Sequence, residues 1–149
     1  MKFIVINGPN LNLLGRREPE IYGNRDYAAL CAHIKAAAAA EHVEIDIMQS
    51  NHEGVIIDAI QDALGKYDGI IINPAGYTHT SVAIADAIAA VDIPTAEVHL
   101  SDVDNREDFR RISFVTPVCV IRVTGLGFDS YSKAIENLAA YIRDLRAKS

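Results

Sequence analysis

Short apolar runs alternate with amphipathic stretches along the whole chain. Phe3-Ile-Val-Ile6 and Ile70-Ile-Ile72 are continuously apolar, the pattern of strands buried on both faces of a parallel sheet. Val43-Glu-Ile-Asp-Ile-Met48 alternates apolar and charged residues, which predicts a half-exposed strand at a sheet edge. Thr95-Ala-Glu-Val98 and Val118-Cys-Val-Ile-Arg-Val123 predict a fourth and a fifth strand. Helical spacing appears between them. Asp26 to His42 places Tyr27, Leu30, Ile34 and Ala37–Ala38 on one side, and its alanine run favours helix. Val55, Ile56, Ile57, Ile60 and Leu64 predict a second helix that stops at Gly65, with Ser50 and Glu53 read as its capping box. A third helix follows the N-cap candidates in Tyr77–Ser81 and ends before Pro94. Asp102 to Arg111 is polar, with one helical turn at Asn105–Phe109. Tyr131, Ile135, Leu138, Ile142 and Leu145 mark the last helix, Asp129 to Arg146.

Strand and helix therefore alternate, which predicts parallel strands with right-handed crossovers. The fold expected is α/β: a flavodoxin-like, doubly wound five-stranded parallel sheet, order 2-1-3-4-5, with helices on both faces. At 149 residues the chain fits a single domain, 1–149, and no internal repeat is visible.

One stretch breaks the pattern. Ile6 to Gly23 is too long and too polar for a strand-to-helix turn of about 2–6 residues. A long loop after the first strand is where a lid would sit, here at about residues 14–24. In the predicted strand order the switch point lies between the first and third strands. Asn7–Asn12, Asn73–Ser81 and Glu97–Ser101 should then converge on one mouth. Each residue there also has a plain reading. Asn10 and Asn12 suit turns, Arg16 and Arg17 suit a solvated pair, and Tyr22 suits a loop anchor. His79 suits a helix start, and His99 suits a structural histidine. Glu97 is harder to dismiss, because a carboxylate in an apolar strand is costly unless paired. His99, two residues on and on the same face, is the natural partner, and the pairing would make it a proton donor or relay.

Bulk properties narrow the partners. A formal net charge of −6 argues against nucleic acid or an anionic membrane. No apolar run approaches the ~20 residues of a membrane span, and no signal peptide is visible, so the expected location is cytoplasmic. Cys31 and Cys119 are too few for a disulfide framework and read as reduced, buried thiols. His33, His42, His52, His79 and His99 lack metal-ligand spacing, so no metal is expected. Neither a phosphate-loop motif nor a Gly-x-Ser-x-Gly elbow is present.

Five longer motifs carry a family resemblance: Gly8-Pro-Asn-Leu-Asn-Leu-Leu-Gly15; Arg16-Arg-Glu-Pro19 with Ile21-Tyr-Gly23; Ser50-Asn-His-Glu-Gly54; Ile72-Asn-Pro-Ala75 with Tyr77-Thr-His-Thr-Ser81; and Glu97-Val-His-Leu-Ser101. In this order they resemble type II 3-dehydroquinate dehydratase. The resemblance implies dehydration of 3-dehydroquinate to 3-dehydroshikimate in the shikimate pathway, with no metal and no organic cofactor, by a dodecamer of four trimers. It implies Tyr22 as the general base, Arg17 as the cation that stabilises the tyrosinate, and His99 as the acid oriented by Glu97. It implies Asn10 as the residue holding a water against the enolate oxygen. Asn73, His79, Leu100 (through its backbone), Ser101 and Arg110 become substrate-binding residues, and Asp86 one that reaches a neighbouring subunit's site. Gly76 and Ala85 depart from the family pattern. The rival reading is a non-catalytic flavodoxin-like module that clamps a small carboxylic acid or a nucleotide.

Overall fold

The computed structural model describes residues 1–16 and 25–149. β1 (Lys2–Asn7) lies between β2 (Glu44–Gln49) and β3 (Gly69–Asn73). β4 (Thr95–His99) and β5 (Ile121–Thr124) complete a five-stranded sheet of order β2-β1-β3-β4-β5. Every pairing is parallel. The helices are α1 (Tyr27–Ala40), α2 (Glu53–Asp62), α3 (Val82–Val91) and α4 (Asp129–Ala147). This is the expected doubly wound, flavodoxin-like arrangement.

The two faces follow from strand alternation. Phe3, Val5, Ile71, Ala96 and Val98 pack with Leu30 and Ile34 of α1 and with Ile135 and Leu138 of α4. Ile4, Ile6, Ile70 and Ile72 pack on the other side with Ile56 and Ile60 of α2 and Ile84 and Ile88 of α3. Each such side chain contributes about 1.5–3 kcal/mol when fully removed from water. β2 sits at the edge, with Glu44 and Asp46 exposed and Ile45 and Ile47 turned to the core. Asp26 caps α1 by accepting from the Ala29 N–H at 2.8 Å.

Three local expectations are corrected. Ser50 does not cap α2. Its Oγ accepts from the His52 N–H at 3.0 Å, and its own N–H is held by the Asn7 carbonyl at 2.9 Å. That tie to the end of β1 displaces the helix start to Glu53, with His52 at the cap position and no side-chain cap. The fifth strand begins at Ile121 rather than at Val118. Pro117 lies in a 3-10 turn, Thr116–Val118, and pairing resumes only where the Val120 N–H meets the Thr95 carbonyl at 2.9 Å. The single turn expected at Asn105–Phe109 is two, Val103–Asn105 and Asp108–Arg110. Ser81 does cap α3, accepting from the Ile84 N–H at 2.9 Å, but Ala75–His79 forms a separate 3-10 turn before it. Cys31 and Cys119 are free and half-buried. Burial pushes the Cys119 thiol well above its ordinary value, so it stays protonated.

Candidate active site

β1 and β3 run side by side, and their last residues, Asn7 and Asn73, are register partners. The chain then turns away through Gly8, whose N–H donates to the Asn73 carbonyl at 2.8 Å. A Cβ at position 8 would meet the Pro74 carbonyl oxygen at 2.6 Å, so only glycine allows this approach. Asn10 follows with φ of 71°, a left-handed conformation that asparagine tolerates. Its N–H donates to Asn51 Oδ1 at 3.0 Å. Gln49 Nε2 donates to the Gly8 carbonyl and to Asn51 Oδ1, both at 3.1 Å, and the Tyr77 hydroxyl donates to the Asn51 carbonyl at 2.9 Å. The Ser50–Gly54 motif thus acquires a job that its local pattern did not disclose: it pins the loop carrying Asn10.

A pocket of about 180 Å³ opens at these strand ends. Asn10, Asn73, His79, His99, Leu100, Ser101 and Arg110 all line it, as do Arg106 and the apolar Leu11, Leu14 and Val103. Leu100 turns its side chain into the core beside Val98, which leaves its backbone at the mouth. A Cβ at Gly76 would meet nothing within 4 Å, so the expected alanine and the observed glycine fit equally.

Glu97 and His99 alternate with Ala96 and Val98 and so face the side of the sheet covered by α2 and α3. Glu97 has no exposed surface. His99 Nε2 lies 2.6 Å from its Oε2, and Thr78 Oγ1 donates to the same oxygen at 2.7 Å. Ser113 Oγ donates to it at 3.1 Å, and the Thr116 hydroxyl donates to Oε1. Arg122 Nε stands 3.8 Å from Oε1. Burial alone would raise this carboxyl. The hydrogen bond and charge of His99, with the Thr116 and Thr78 hydroxyls, outweigh it and hold the group down at about 2. Glu97 is therefore a fixed anion that orients His99 through Nε2, and the other ring nitrogen remains for the pocket.

A depressed carboxyl pKa stabilises the fold above the unfolded value and is lost as pH falls through the folded one. The window here runs from about 4.5 down to about 2. The thermal midpoint is expected to fall steeply across that window, and the Glu97→Gln variant to show a shallower slope there. Equal slopes in a calorimetric pH series would contradict the caged-anion reading.

His79 presents the opposite polarity. Its Nδ1 lies 2.7 Å from the Ile112 carbonyl and must carry the proton to donate there. Burial lowers its pKa, with the Ile112 contact opposing, so the ring is neutral near pH 7 and Nε2 is an acceptor for a ligand hydroxyl. Arg110 Nε stands 2.8 Å from Glu107, and Arg106 Nε stands 3.9 Å from the same carboxylate. Two guanidinium groups at one mouth favour an anionic ligand.

Asp86 lies on the exposed side of α3 and does not line this pocket. Arg17 and Tyr22, with most of the lid stretch, lie outside the described residues. Thr78, Ser113, Thr116, Asn51 and Arg106 were not singled out from the sequence.

The family model for "Dehydroquinase class II" matches residues 1–139. The chain belongs to this family. A 3-dehydroquinate dehydratase of Fusobacterium nucleatum is 52% identical over 144 residues, covering 95% of this chain and 98% of the relative. One of Nostoc sp. is 48% identical over 143 residues, covering 96% and 97%. The crystal structure of a type II dehydroquinase from Butyrivibrio crossotus superposes with a TM-score of 0.90 at 51% identity, covering 93% of this chain and 97% of that one. As a class II dehydroquinase the chain is matched to residue 139, well beyond the last of the five motifs, which ends at Ser101. Membership in an enzyme family also removes the ground for reading the mouth as a non-catalytic clamp.

Proposed function

We propose that this chain is a hydro-lyase that converts 3-dehydroquinate to 3-dehydroshikimate and water, a step of the shikimate pathway. The observation that carries the reading is the buried Glu97–His99 pair opening into a pocket with arginines at its rim. The substrate carboxylate pairs with Arg110, and Asn73, His79, Ser101 and the Leu100 backbone hold its hydroxyl groups. Tyr22, as phenolate beside Arg17, takes the proton from the carbon next to the ketone. The electron pair moves into an enolate, against whose oxygen Asn10 holds a water. The enolate then collapses, the hydroxyl on the adjacent carbon leaves, and His99 protonates it to water. Tyr22 finally returns its proton to solvent, and His99 takes one from solvent, which restores both groups. The steps balance without a metal or an organic cofactor.

The reading includes a cytoplasmic location and a homo-dodecamer of four trimers in which Asp86 completes a neighbour's site. Support for assembly comes from Val82, next to Asp86 on α3, and from Phe109 and Ile112, which are 53%, 64% and 60% exposed. Sedimentation of the purified chain checks the assembly. For the reaction itself, addition of 3-dehydroquinate is expected to produce the ultraviolet absorbance of the conjugated product. Folded protein that gives no such signal removes the reading.

A further inference from the structure

Asn7, Tyr27 and Tyr131, which the reaction does not use, are linked to the pocket-lining Asn73 by a chain of hydrogen bonds beneath the pocket floor. Asn7 continues the face of Phe3 and Val5, and Asn73 continues the face of Ile71, so both amides point toward α1 and α4. Tyr131 of α4 stands between them with no exposed surface. Its hydroxyl donates to Asn7 Oδ1 at 2.7 Å and accepts from Asn73 Nδ2 at 2.9 Å. Asn7 Nδ2 donates in turn to the Tyr27 hydroxyl, 3.3 Å away at the first residue of α1.

The direction of this chain is set at its Asn73 end, where the Ala75 N–H can only donate. A tyrosine hydroxyl has one hydrogen. Asn7 takes it, so Tyr131 can only accept from Asn73. The Asn73 Oδ1 is meanwhile committed to the Ala75 N–H at 3.1 Å. A flipped Asn73 amide would set NH₂ against the Ala75 N–H and oxygen against a hydroxyl with no hydrogen left to give. Both contacts would fail. Of the two hydrogens on Asn73 Nδ2, Tyr131 takes one, and the second is left for the pocket that Asn73 lines.

We propose that Tyr131, held by Asn7, is a positioning residue that locks the Asn73 amide as a donor, so that this part of the pocket selects a ligand oxygen able to accept a hydrogen bond. The inference rests on the reading of Asn73 as a substrate-binding residue. It adds a residue from α4, remote from every mouth segment, to the determinants of binding.

The test is a double-mutant cycle of Tyr131→Phe with Asn73→Ala. With Asn73 present, Tyr131→Phe is expected to raise KM for 3-dehydroquinate about tenfold while changing kcat less than about twofold, the size of one misoriented hydrogen bond. With Asn73→Ala, the same change is expected to leave KM where it is. Equal effects in the two backgrounds would make Tyr131 a stabilising core residue only and overturn the proposal, as would an unchanged KM in the single variant. Asn7→Ala frees the Tyr131 hydroxyl to donate and should give the same KM rise. It replaces Tyr131→Phe in the cycle if that variant does not fold. Should the wild-type chain show no turnover, the dehydratase reading fails separately. The amide lock is then read from the Asn73 side-chain amide in ¹⁵N spectra: slow hydrogen exchange lost in Tyr131→Phe supports it, and retained protection overturns it.

Discussion

Replacing His99 with alanine is expected to lower kcat by about 10²–10⁴-fold, the range for loss of a positioned general acid. Hydroxide is a poor leaving group from an enolate, so departure waits on a proton delivered in the transition state. In the proposed reaction His99 delivers it: the side chain lines the pocket, and Glu97 fixes the ring through Nε2. The substitution also removes one partner of the buried Glu97 carboxylate, which keeps its Thr78, Ser113 and Thr116 donors and so loses less than the about 3–5 kcal/mol of a buried charge left alone. The thermal midpoint will therefore fall, and calorimetric binding of the product must be measured alongside kcat. Retained binding with lost turnover is the expected outcome. Glu97→Gln keeps the volume and removes the charge, and is expected to cost less in kcat than His99→Ala. A kcat within about fivefold of wild type in His99→Ala would fall below the range of acid catalysis and assign the proton to another group.

How much of this was legible in the sequence depended on distance along the chain. The Glu97–His99 pairing is a two-residue alternation on one strand, and a period-2 argument found it. The buried strands were legible because Ile70–Ile72 and Phe3–Ile6 have no polar residue to place in solvent. The cage around Glu97 was not, because Thr78, Ser113 and Thr116 lie 16 to 19 residues away, and hydroxyls in polar loops carry no signal of what they reach. Asn51 is 41 residues from Asn10, and Tyr131 is 124 from Asn7. Tyr131 looked like one more apolar step in an amphipathic helix, and only the register of β1 against β3 gives its hydroxyl partners. Ser50 was misread for the opposite reason. Its capping pattern is local, and a tertiary bond to Asn7 overrode it.

Tyr22→Phe is expected to reduce kcat by at least about 10³-fold while leaving substrate affinity within several-fold of wild type. A phenol with an ordinary pKa of about 10 is ionised in only about one molecule in 10³ at pH 7. Its use as a base therefore requires adjacent positive charge, and each unit of lowering corresponds to about 1.4 kcal/mol of preference for the phenolate. Arg17, five positions earlier in the sequence, supplies that charge in the proposed reaction. The two residues should then fail differently. Phenylalanine has no oxygen to take the proton, so the lost rate cannot be recovered at any pH. Arg17→Ala keeps the oxygen and removes the charge, so the basic group in the kcat/KM profile should titrate higher and part of the lost rate should return as pH rises. A clamp would behave otherwise: phenylalanine at position 22 would preserve turnover, and loss of Arg17 would weaken binding uniformly with pH. Parallel pH profiles for the two variants, both flat and low, would separate Arg17 from the ionisation of Tyr22 and assign it to substrate binding instead.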